Sequence, residues 1–248
     1  MASSQFYALI SGVGSGTGRA VALRFAQAYP VVVLARTASS YEPIVDSIRA
    51  SGGEALGLAA DASDSAAVDA AFRSIGDKWP SRKLAAAVYN ANAGFAFKPF
   101  LDLTEKDLDT SLGTAAKGLF LFAQKTLPLL LDTLSSSHPH PPTLIVTGAT
   151  ASIRGSARFA SFAAGKFAQR ALTQSLAREF GPQGVHVALA IIDGVIDTPW
   201  ARDLGYAPGP ENSKLKPEAI ADSYWHLHTQ HRSAFTQELD LRPFLEKF

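Results

Sequence analysis

Short apolar runs alternate with longer amphipathic stretches along the chain. The runs are continuous, as in Val31-Val32-Val33-Leu34-Ala35, and a continuous β-branched run indicates a strand that is buried on both faces. The predicted strands are residues 6–10, 31–35, 55–60, 84–89, 143–147, 185–192 and 235–241. Because helices are predicted between the strands, the pattern favours an α/β protein whose parallel sheet is covered on both faces.

The stretches between the strands carry the start and stop signals of helices. The predicted helices are residues 20–29, 43–50, 65–79, 104–131, 159–180 and 217–230. Asp64 is placed to cap the third of these, and Thr104 with Asp107 forms a capping box at the fourth. Glycine and proline inside the fourth helix predict that it is bent or split. The sequence has no evident linker, so we predict one domain over residues 1–248 with an irregular segment at 198–217.

Composition narrows the class of protein. The 248 residues are 47% hydrophobic and 18% charged, as in a globular enzyme, and the formal net charge is +1. This charge, without any run of Lys or Arg, predicts no nucleic-acid partner. The absence of cysteine excludes disulfides, thiolate metal sites and a cysteine nucleophile, and we expect no metal. No apolar run reaches the ~18 residues of a membrane span and no signal peptide is evident, so we expect a cytoplasmic protein.

A glycine-rich turn follows the first strand. Ser11-Gly12-Val13-Gly14-Ser15-Gly16-Thr17-Gly18 connects that strand to the first predicted helix. Glycines let a backbone approach the pyrophosphate of a dinucleotide, and a helix N-terminus offers free N–H groups with a positive dipole. The turn therefore indicates a dinucleotide site, although glycine-rich turns also cap ordinary helices.

This turn and the motifs that follow it resemble those of the short-chain dehydrogenase/reductase superfamily. Residues 11–18 resemble its T-G-x-x-x-G-x-G signature, with Ser11 in place of threonine. Asn92-Ala93-Gly94 resembles the second half of its N-N-A-G turn, in which Ala91 replaces the first Asn. Asp61 stands where the family places an Asp that contacts the adenine ring.

Two later segments extend the resemblance over essentially the whole chain. The helix with Lys166 resembles the family's active-site helix, and residues 192–198 resemble the turn after its sixth strand, with Asp193 in place of a proline. The resemblance implies a Rossmann-type doubly wound sheet of about seven strands, with cofactor and substrate at the carboxyl ends of the strands. The cofactor-binding residues that it implies are Gly12, Gly14, Ser15, Gly16, Thr17, Gly18, Arg36, Thr37, Asp61, Ala62, Asn92, Ala93, Gly94, Lys166, Asp193, Gly194, Ile196 and Thr198. It also implies a small-molecule substrate, a substrate lid around residues 198–217, and pairing of the two long helices in a homodimer or homotetramer.

The end of the second strand bears on the choice of cofactor. An adenosine ribose with free hydroxyls needs a carboxylate there, whereas a 2′-phosphate needs a cation. Ala35 occupies the expected acidic position and Arg36 follows it, and a guanidinium can bind a phosphate through two hydrogen bonds. We therefore predict NADP(H) rather than NAD(H), with a solvated Arg36 as the alternative.

The catalytic positions depart from those of the family. Its chemistry uses Tyr-x-x-x-Lys, in which the tyrosine hydroxyl exchanges the proton and the lysine lowers the tyrosine pKa. The matching segment here is Phe162-Ala163-Ala164-Gly165-Lys166, and phenylalanine has no proton to give. Ala149 stands at the position of the family's serine and Ala115 at that of its asparagine. Of the four catalytic positions only Lys166 is kept.

Other groups are candidates for the missing proton donor. Thr150 and Ser152 lie just after the fifth strand and are placed to orient a carbonyl. Tyr206 lies in the irregular segment, and Asp193 follows the sixth strand. Lys166 itself is a candidate, through a ribose hydroxyl or a water, if burial lowers its pKa. The alternative for each of the others is an ordinary solvated hydroxyl or capping carboxylate, and these alternatives remain open.

The histidines indicate little chemistry. His226 and His228 are two residues apart on the last predicted helix, and residues two apart do not share a face. We therefore predict that this helix turns its histidines towards solvent. His186 lies in a buried strand and is predicted to be a hydrogen-bonded core residue.

Two hypotheses about function follow. The first is an atypical NADP(H)-dependent oxidoreductase that transfers a hydride between the nicotinamide and a small-to-medium carbonyl, imine or activated alkene. The second is an NADP(H)-binding protein without redox activity, acting as a sensor, a partner subunit or the catalyst of a non-redox step. The persistence of a lid segment favours the first, and the replacement of three catalytic positions favours the second.

Overall fold

Seven parallel strands form one sheet in the computed structural model, which describes residues 5–92, 96–203, 210 and 212–245. The strands are β1 (Phe6–Ser11), β2 (Val31–Ala35), β3 (Ala55–Ala59), β4 (Lys83–Tyr89), β5 (Thr143–Thr147), β6 (His186–Ile192) and β7 (Glu238–Leu241). Their order across the sheet is β3-β2-β1-β4-β5-β6-β7. The predicted Rossmann-type α/β fold with a sheet of about seven parallel strands is therefore confirmed.

The strand order reverses beside β1. This strand pairs with β2 on one side, where Ala8 faces Val31, and with β4 on the other, where Phe6 faces Lys83. The connections from the two sides of such a reversal run over opposite faces of the sheet and leave a crevice at the carboxyl ends of the strands. The crevice is where the fold is expected to bind a ligand.

Helices cover both faces of the sheet. They are α1 (Thr17–Phe25), α2 (Ala38–Ala50), α3 (Ser65–Lys78), α4 (Glu105–Leu112), α5 (Leu119–Thr133), α6 (Ala160–Phe180), α7 (Pro199–Asp203) and α8 (Pro217–Thr229). α1, α2 and α8 bury Phe25, Ile48 and Tyr224 against one face, and α3 and α5 bury Ile75 and Leu119 against the other. None of the helices within the described ranges is long and apolar enough to cross a membrane.

The helix boundaries follow local signals in most places. Asp64 accepts the N–H of Ala66 at 2.9 Å, and Thr104 and Asp107 form the reciprocal capping box. The predicted bend in the long helix is a π-helical turn at Gly113–Gly118, which separates α4 from α5. α2 begins at Ala38 rather than at position 43, and Thr37, still in extended conformation, is its N-cap residue.

Candidate active site

A cavity of about 950 Å³ opens at the carboxyl edge of the sheet. Its walls come from the segments that follow β1 to β6, so residues far apart in the sequence meet there. The predicted site residues that line it are Gly12, Gly14, Ser15, Gly16, Thr17, Gly18, Arg36, Thr37, Asp61, Ala62, Asn92, Thr150, Phe162, Lys166, Gly194, Ile196 and Thr198. The fold thus gathers the glycine-rich turn and the predicted catalytic helix around one space.

One side of the glycine-rich turn packs tightly against the end of β4. Gly12 has a φ of +88°, and a Cβ on it would collide with the backbone of Ala91. Asn90 Nδ2 donates a hydrogen bond to Gly12 O at 2.8 Å, which ties the turn to the end of β4. Gly14 faces open space instead, because a Cβ there would meet no atom within 4 Å. The turn therefore leaves its backbone accessible from the cavity.

The start of α1 and the end of β2 fit the phosphates of a dinucleotide. The N-terminal residues of α1 line the cavity, and the buried hydroxyl of Thr17 has no hydrogen-bond partner among the described residues. Backbone N–H groups at a helix N-terminus bind phosphate. Arg36 is exposed and lines the same cavity. The neighbouring Thr37 lines it too, and its hydroxyl lies 3.0 Å from that of Ser40. A pyrophosphate at α1 and a 2′-phosphate at Arg36 would both meet donors.

Asp61 follows β3 and lines the cavity as predicted. The hydroxyl and N–H of Ser63 donate to its Oδ1 at 2.7 and 2.8 Å. These hydrogen bonds, assisted by the charge of Arg36, hold the pKa of Asp61 below its usual value. Asp61 therefore stays ionised and fixed in its own turn.

Lys166 lines the cavity from α6, with its side chain buried in the wall. Its ammonium donates to Thr147 O at 3.1 Å and to Gln169 Oε1 at 3.0 Å. Burial lowers the pKa of Lys166 from its ordinary 10.5 to about 8. The ring of Phe162 has its centroid 5.9 Å from Nζ, within the range of a cation–π contact. A lysine with a pKa this close to neutrality can both hold and release a proton.

The π-helical turn supports the cavity wall next to α6. Thr114 lines the cavity, and its main-chain oxygen accepts the hydroxyl of Tyr89 at 2.6 Å. Gly118 leaves room for this hydroxyl, because a Cβ there would collide with it. Ala115, at the position of the family's asparagine, is buried. The turn is therefore held by Tyr89 rather than by a side chain at position 115.

Two of the proposed hydroxyls are already engaged. Ser152 is completely buried and does not line the cavity, contrary to its predicted catalytic role. Its Oγ accepts the N–H of Ala149 at 3.0 Å, so it stabilises the turn after β5. Thr150 does line the cavity, but its hydroxyl donates to Asp193 Oδ1 at 2.5 Å. The Thr150 proton therefore faces a carboxylate of the protein.

Asp193 also differs from its prediction as a cofactor-binding residue. It is completely buried and does not line the cavity. Its Oδ2 lies 3.0 Å from the guanidinium of Arg242, and its Oδ1 lies 3.6 Å from that of Arg154. Its N–H donates to Leu241 O at 2.8 Å. The side chain thus ties the end of β6 to the end of β7.

Sequence reasoning missed several residues of the site, among them Arg154, Phe159 and Gln169. Arg154 and Phe159 line the cavity, and the ring centroid of Phe159 is 6.5 Å from that of Phe162. Gln169 touches Lys166 from one turn along α6. The spacing of three residues from Lys166 was a usable signal for Gln169, because such residues share a helix face.

Some predictions fall outside the described residues. Ala93 and Gly94, predicted to bind the cofactor, and Tyr206, a candidate proton donor, lie there. Part of the predicted lid at 198–217 does too.

His228 contradicts the prediction that the last helix turns its histidines to solvent. It is completely buried, with Nε2 2.8 Å from the Tyr29 hydroxyl and Nδ1 3.0 Å from Thr143 Oγ1. Burial holds the pKa of His228 well below its usual value. His138, in the loop between α5 and β5, lies 3.0 Å from the same Tyr29 hydroxyl, so Tyr29 links this loop to α8.

The fold and the cavity are those of a Rossmann-type dinucleotide-binding protein, and comparison with known proteins shows the family. The family model for short chain dehydrogenases matches residues 7–207. The chain therefore belongs to the short-chain dehydrogenase family, and the predicted family is confirmed.

Individual relatives are similar over nearly their whole length. A sepiapterin reductase of Chlorobaculum tepidum is 31% identical, with 95% of each chain covered. A crystal structure of a short-chain dehydrogenase from Rhodopseudomonas palustris is 30% identical, covers 96% of this chain and 99% of its own, and has a TM-score of 0.76. An alcohol dehydrogenase from Thermococcus sibiricus, complexed with 5-hydroxy-NADP, is 24% identical with 98% of each chain covered and a TM-score of 0.83.

Proposed function

We propose that the protein is an NADP(H)-dependent oxidoreductase that reduces a small-to-medium carbonyl, imine or activated alkene with Lys166 as its proton source. The observation that carries this proposal is the single cavity that joins the glycine-rich turn and Arg36 to a buried Lys166. The relatives named as reductases and dehydrogenases are consistent with it.

The preference for the phosphorylated cofactor rests on the end of β2. The exposed Arg36 guanidinium offers a charge to a 2′-phosphate, and Ala35 adds no carboxylate that would repel it. The similar alcohol dehydrogenase and a metagenomic short-chain oxidoreductase were both crystallised with NADP-type ligands. Both similarities support the same choice for this chain.

Lys166 is proposed as the proton source because the other candidates among the described residues are engaged. A bound dinucleotide supplies the hydride. Ser152 faces the backbone of Ala149, and the Thr150 hydroxyl donates to Asp193. Lys166 has a pKa lowered to about 8 by burial and lies on the cavity wall. Positioned proton donors typically contribute about 10²–10⁴-fold to a rate.

The activity can be tested with a panel of aldehydes, ketones, cyclic imines and enones, following NADPH oxidation. We expect turnover of at least one class, and a loss of about 10²-fold or more in Lys166→Met, in line with removal of a general acid. Lys106→Met removes an exposed lysine of α4 and should keep full activity. Tight NADPH binding without turnover of any compound would reject the oxidoreductase in favour of a non-redox NADP(H)-binding protein.

We propose further that the chain forms a homodimer or homotetramer through its long helices. Leu108, Phe120, Leu129 and Phe167 are exposed apolar side chains of α4, α5 and α6. Covering them would remove apolar area from water, as the pairing of two copies does. Light scattering at micromolar concentration should give twice or four times the mass of one chain, and a clean monomer would refute the assembly.

A further inference from the structure

The ammonium of Lys166 has two acceptors among the described residues, and neither is charged. Gln169 Oε1 accepts from Nζ at 3.0 Å, and the main-chain oxygen of Thr147 accepts at 3.1 Å. Gln169 is completely buried, so an amide rather than water faces the ammonium on that side. An ammonium has three N–H groups, and two acceptors leave one N–H for the cavity that Lys166 lines.

The charged groups on the strands and helix around Lys166 are paired with one another. Arg170, on the same helix, lies 2.8 Å from Glu238 of β7. Asp193, after β6, lies 3.0 Å from Arg242. Burial is therefore the cause that lowers the pKa of Lys166.

The elements on the other side of α6 add no charge beside it. α4 packs Ser111 against Gly165, one residue before Lys166. The π-helical turn contributes Thr114, bonded to a Tyr89 hydroxyl whose pKa burial raises, and the Lys117 side chain of that turn is exposed. The acceptors that stabilise the charged form of Lys166 are thus the Thr147 carbonyl and the Gln169 amide.

The chemistry of residue 169 therefore affects how firmly Lys166 holds its proton. A carboxylate at position 169 would form a buried ion pair and favour the charged form of Lys166. A hydrocarbon side chain would instead remove one hydrogen bond from the ammonium. An amide lies between these extremes. Gln169 Nε2 is buried and has no hydrogen-bond partner among the described residues. The amide can therefore rotate without breaking a bond at Nε2 and offer an N–H to a neutral amine.

We propose that Gln169 is a positioning residue whose amide holds Lys166 in both of its protonation states. The proposal rests on the proposed function, in which Lys166 supplies the proton. As the substrate carbon receives the hydride, an N–H bond of the ammonium breaks and the proton passes to the substrate oxygen or nitrogen, or, in an alkene, to the other carbon of the double bond. The electron pair stays on Nζ. The neutral amine then accepts a hydrogen bond from Gln169 Nε2 until a proton from solvent restores the ammonium.

The test compares Gln169→Leu and Gln169→Glu by measuring the titration of the Lys166 amine directly. Protein labelled with ¹⁵N-lysine is titrated by NMR without cofactor or substrate, and Lys166→Arg assigns the signal. We expect the midpoint to fall by about one pH unit in Gln169→Leu and to rise by about one unit or more in Gln169→Glu. The acidic group in the pH profile of kcat should move with the midpoint, while KM changes less than about twofold.

Gln174→Leu is the matched control, because Gln174 lies on the same helix and donates to Glu238 rather than to Lys166. It should leave the Lys166 midpoint unchanged. Identical midpoints in the wild type and both Gln169 variants would overturn the proposal. If Gln169→Leu does not fold, the nearly isosteric Gln169→Glu still decides it. Shifted midpoints in a protein that turns over no substrate would refute the proposed function while upholding the pairing of Gln169 with Lys166.

Discussion

Lys166→Met should change the pH dependence of the unfolding equilibrium in a way that reports on the buried amine. The pKa of Lys166 is about 8 in the folded protein against an ordinary 10.5, which we take for the unfolded chain. Below the lower value both states hold the proton, and the cost of burying the charge is present in full. Between the two values the unfolded chain keeps a proton that the folded protein has released. Wild-type stability should therefore rise with pH in this window, relative to a variant that does not titrate.

The magnitude follows from the two pKa values. One pKa unit corresponds to about 1.4 kcal/mol. Between roughly pH 7 and 9.5 the free energy of unfolding of the wild type should therefore increase by about 2 kcal/mol relative to that of the variant. Urea unfolding of both proteins across this range measures the difference, and the subtraction cancels the other titrating groups. The sign of this pH-dependent difference does not depend on how well methionine packs, because packing changes the free energy of unfolding by the same amount at every pH.

Lys106→Met is the control for this prediction. Its lysine is exposed, so its difference from the wild type should stay flat with pH. A Lys166→Met difference that also stays flat, within about 0.5 kcal/mol, would mean that the folded protein does not desolvate this amine, and the argument for a lysine proton donor would fail.

Two further predictions concern the ends of the cavity. Arg36→Ala should weaken NADPH binding by about ten- to a hundredfold, because it removes a charge-assisted hydrogen bond, and should leave NADH binding unchanged. The control Arg73→Ala on α3 should alter neither affinity. Calorimetry that finds equal affinities of the wild type for the two cofactors would contradict this prediction. Phe162→Tyr places a hydroxyl near Lys166 and should raise ketone turnover by about tenfold or more, and Ala149→Ser added to it should give more than the two separate gains. Unchanged rates on the same panel would contradict the expectation that a tyrosine hydroxyl transfers the proton better than Lys166 alone.

The sequence was sufficient where the determining interactions are local. The buried strand at Val31–Ala35, the cap at Asp64 and the capping box at Thr104 depend on residues close in the chain. The glycine-rich turn belongs to the same class, since Gly12 is required by its own backbone conformation and by the adjoining end of β4. These features could be predicted because few long-range contacts were needed to define them.

Two predictions failed for different reasons. Asp193 was expected at the cofactor, but its carboxylate meets Arg242, which only the assembly of β6 and β7 brings near. The prediction that His228 faces solvent rests on its spacing from His226. His228 nevertheless lies next to Leu227 and four residues after Tyr224, which places it on the apolar face of α8. A correct prediction for Asp193 requires tertiary contacts, whereas the burial of His228 could be predicted from the helical pattern of apolar residues.

The position of β1 inside the sheet has a consequence for how the chain reaches its native state. β1 can pair with β2 early, but its other edge stays open until β4 arrives, because Phe6 pairs with Lys83. Parallel pairing across such separations requires closure of long loops before any contact is gained, which makes folding slow. A partly folded chain therefore exposes an apolar strand edge that invites association with other copies. Refolding yield should accordingly fall as protein concentration rises, even if the native protein itself is highly soluble.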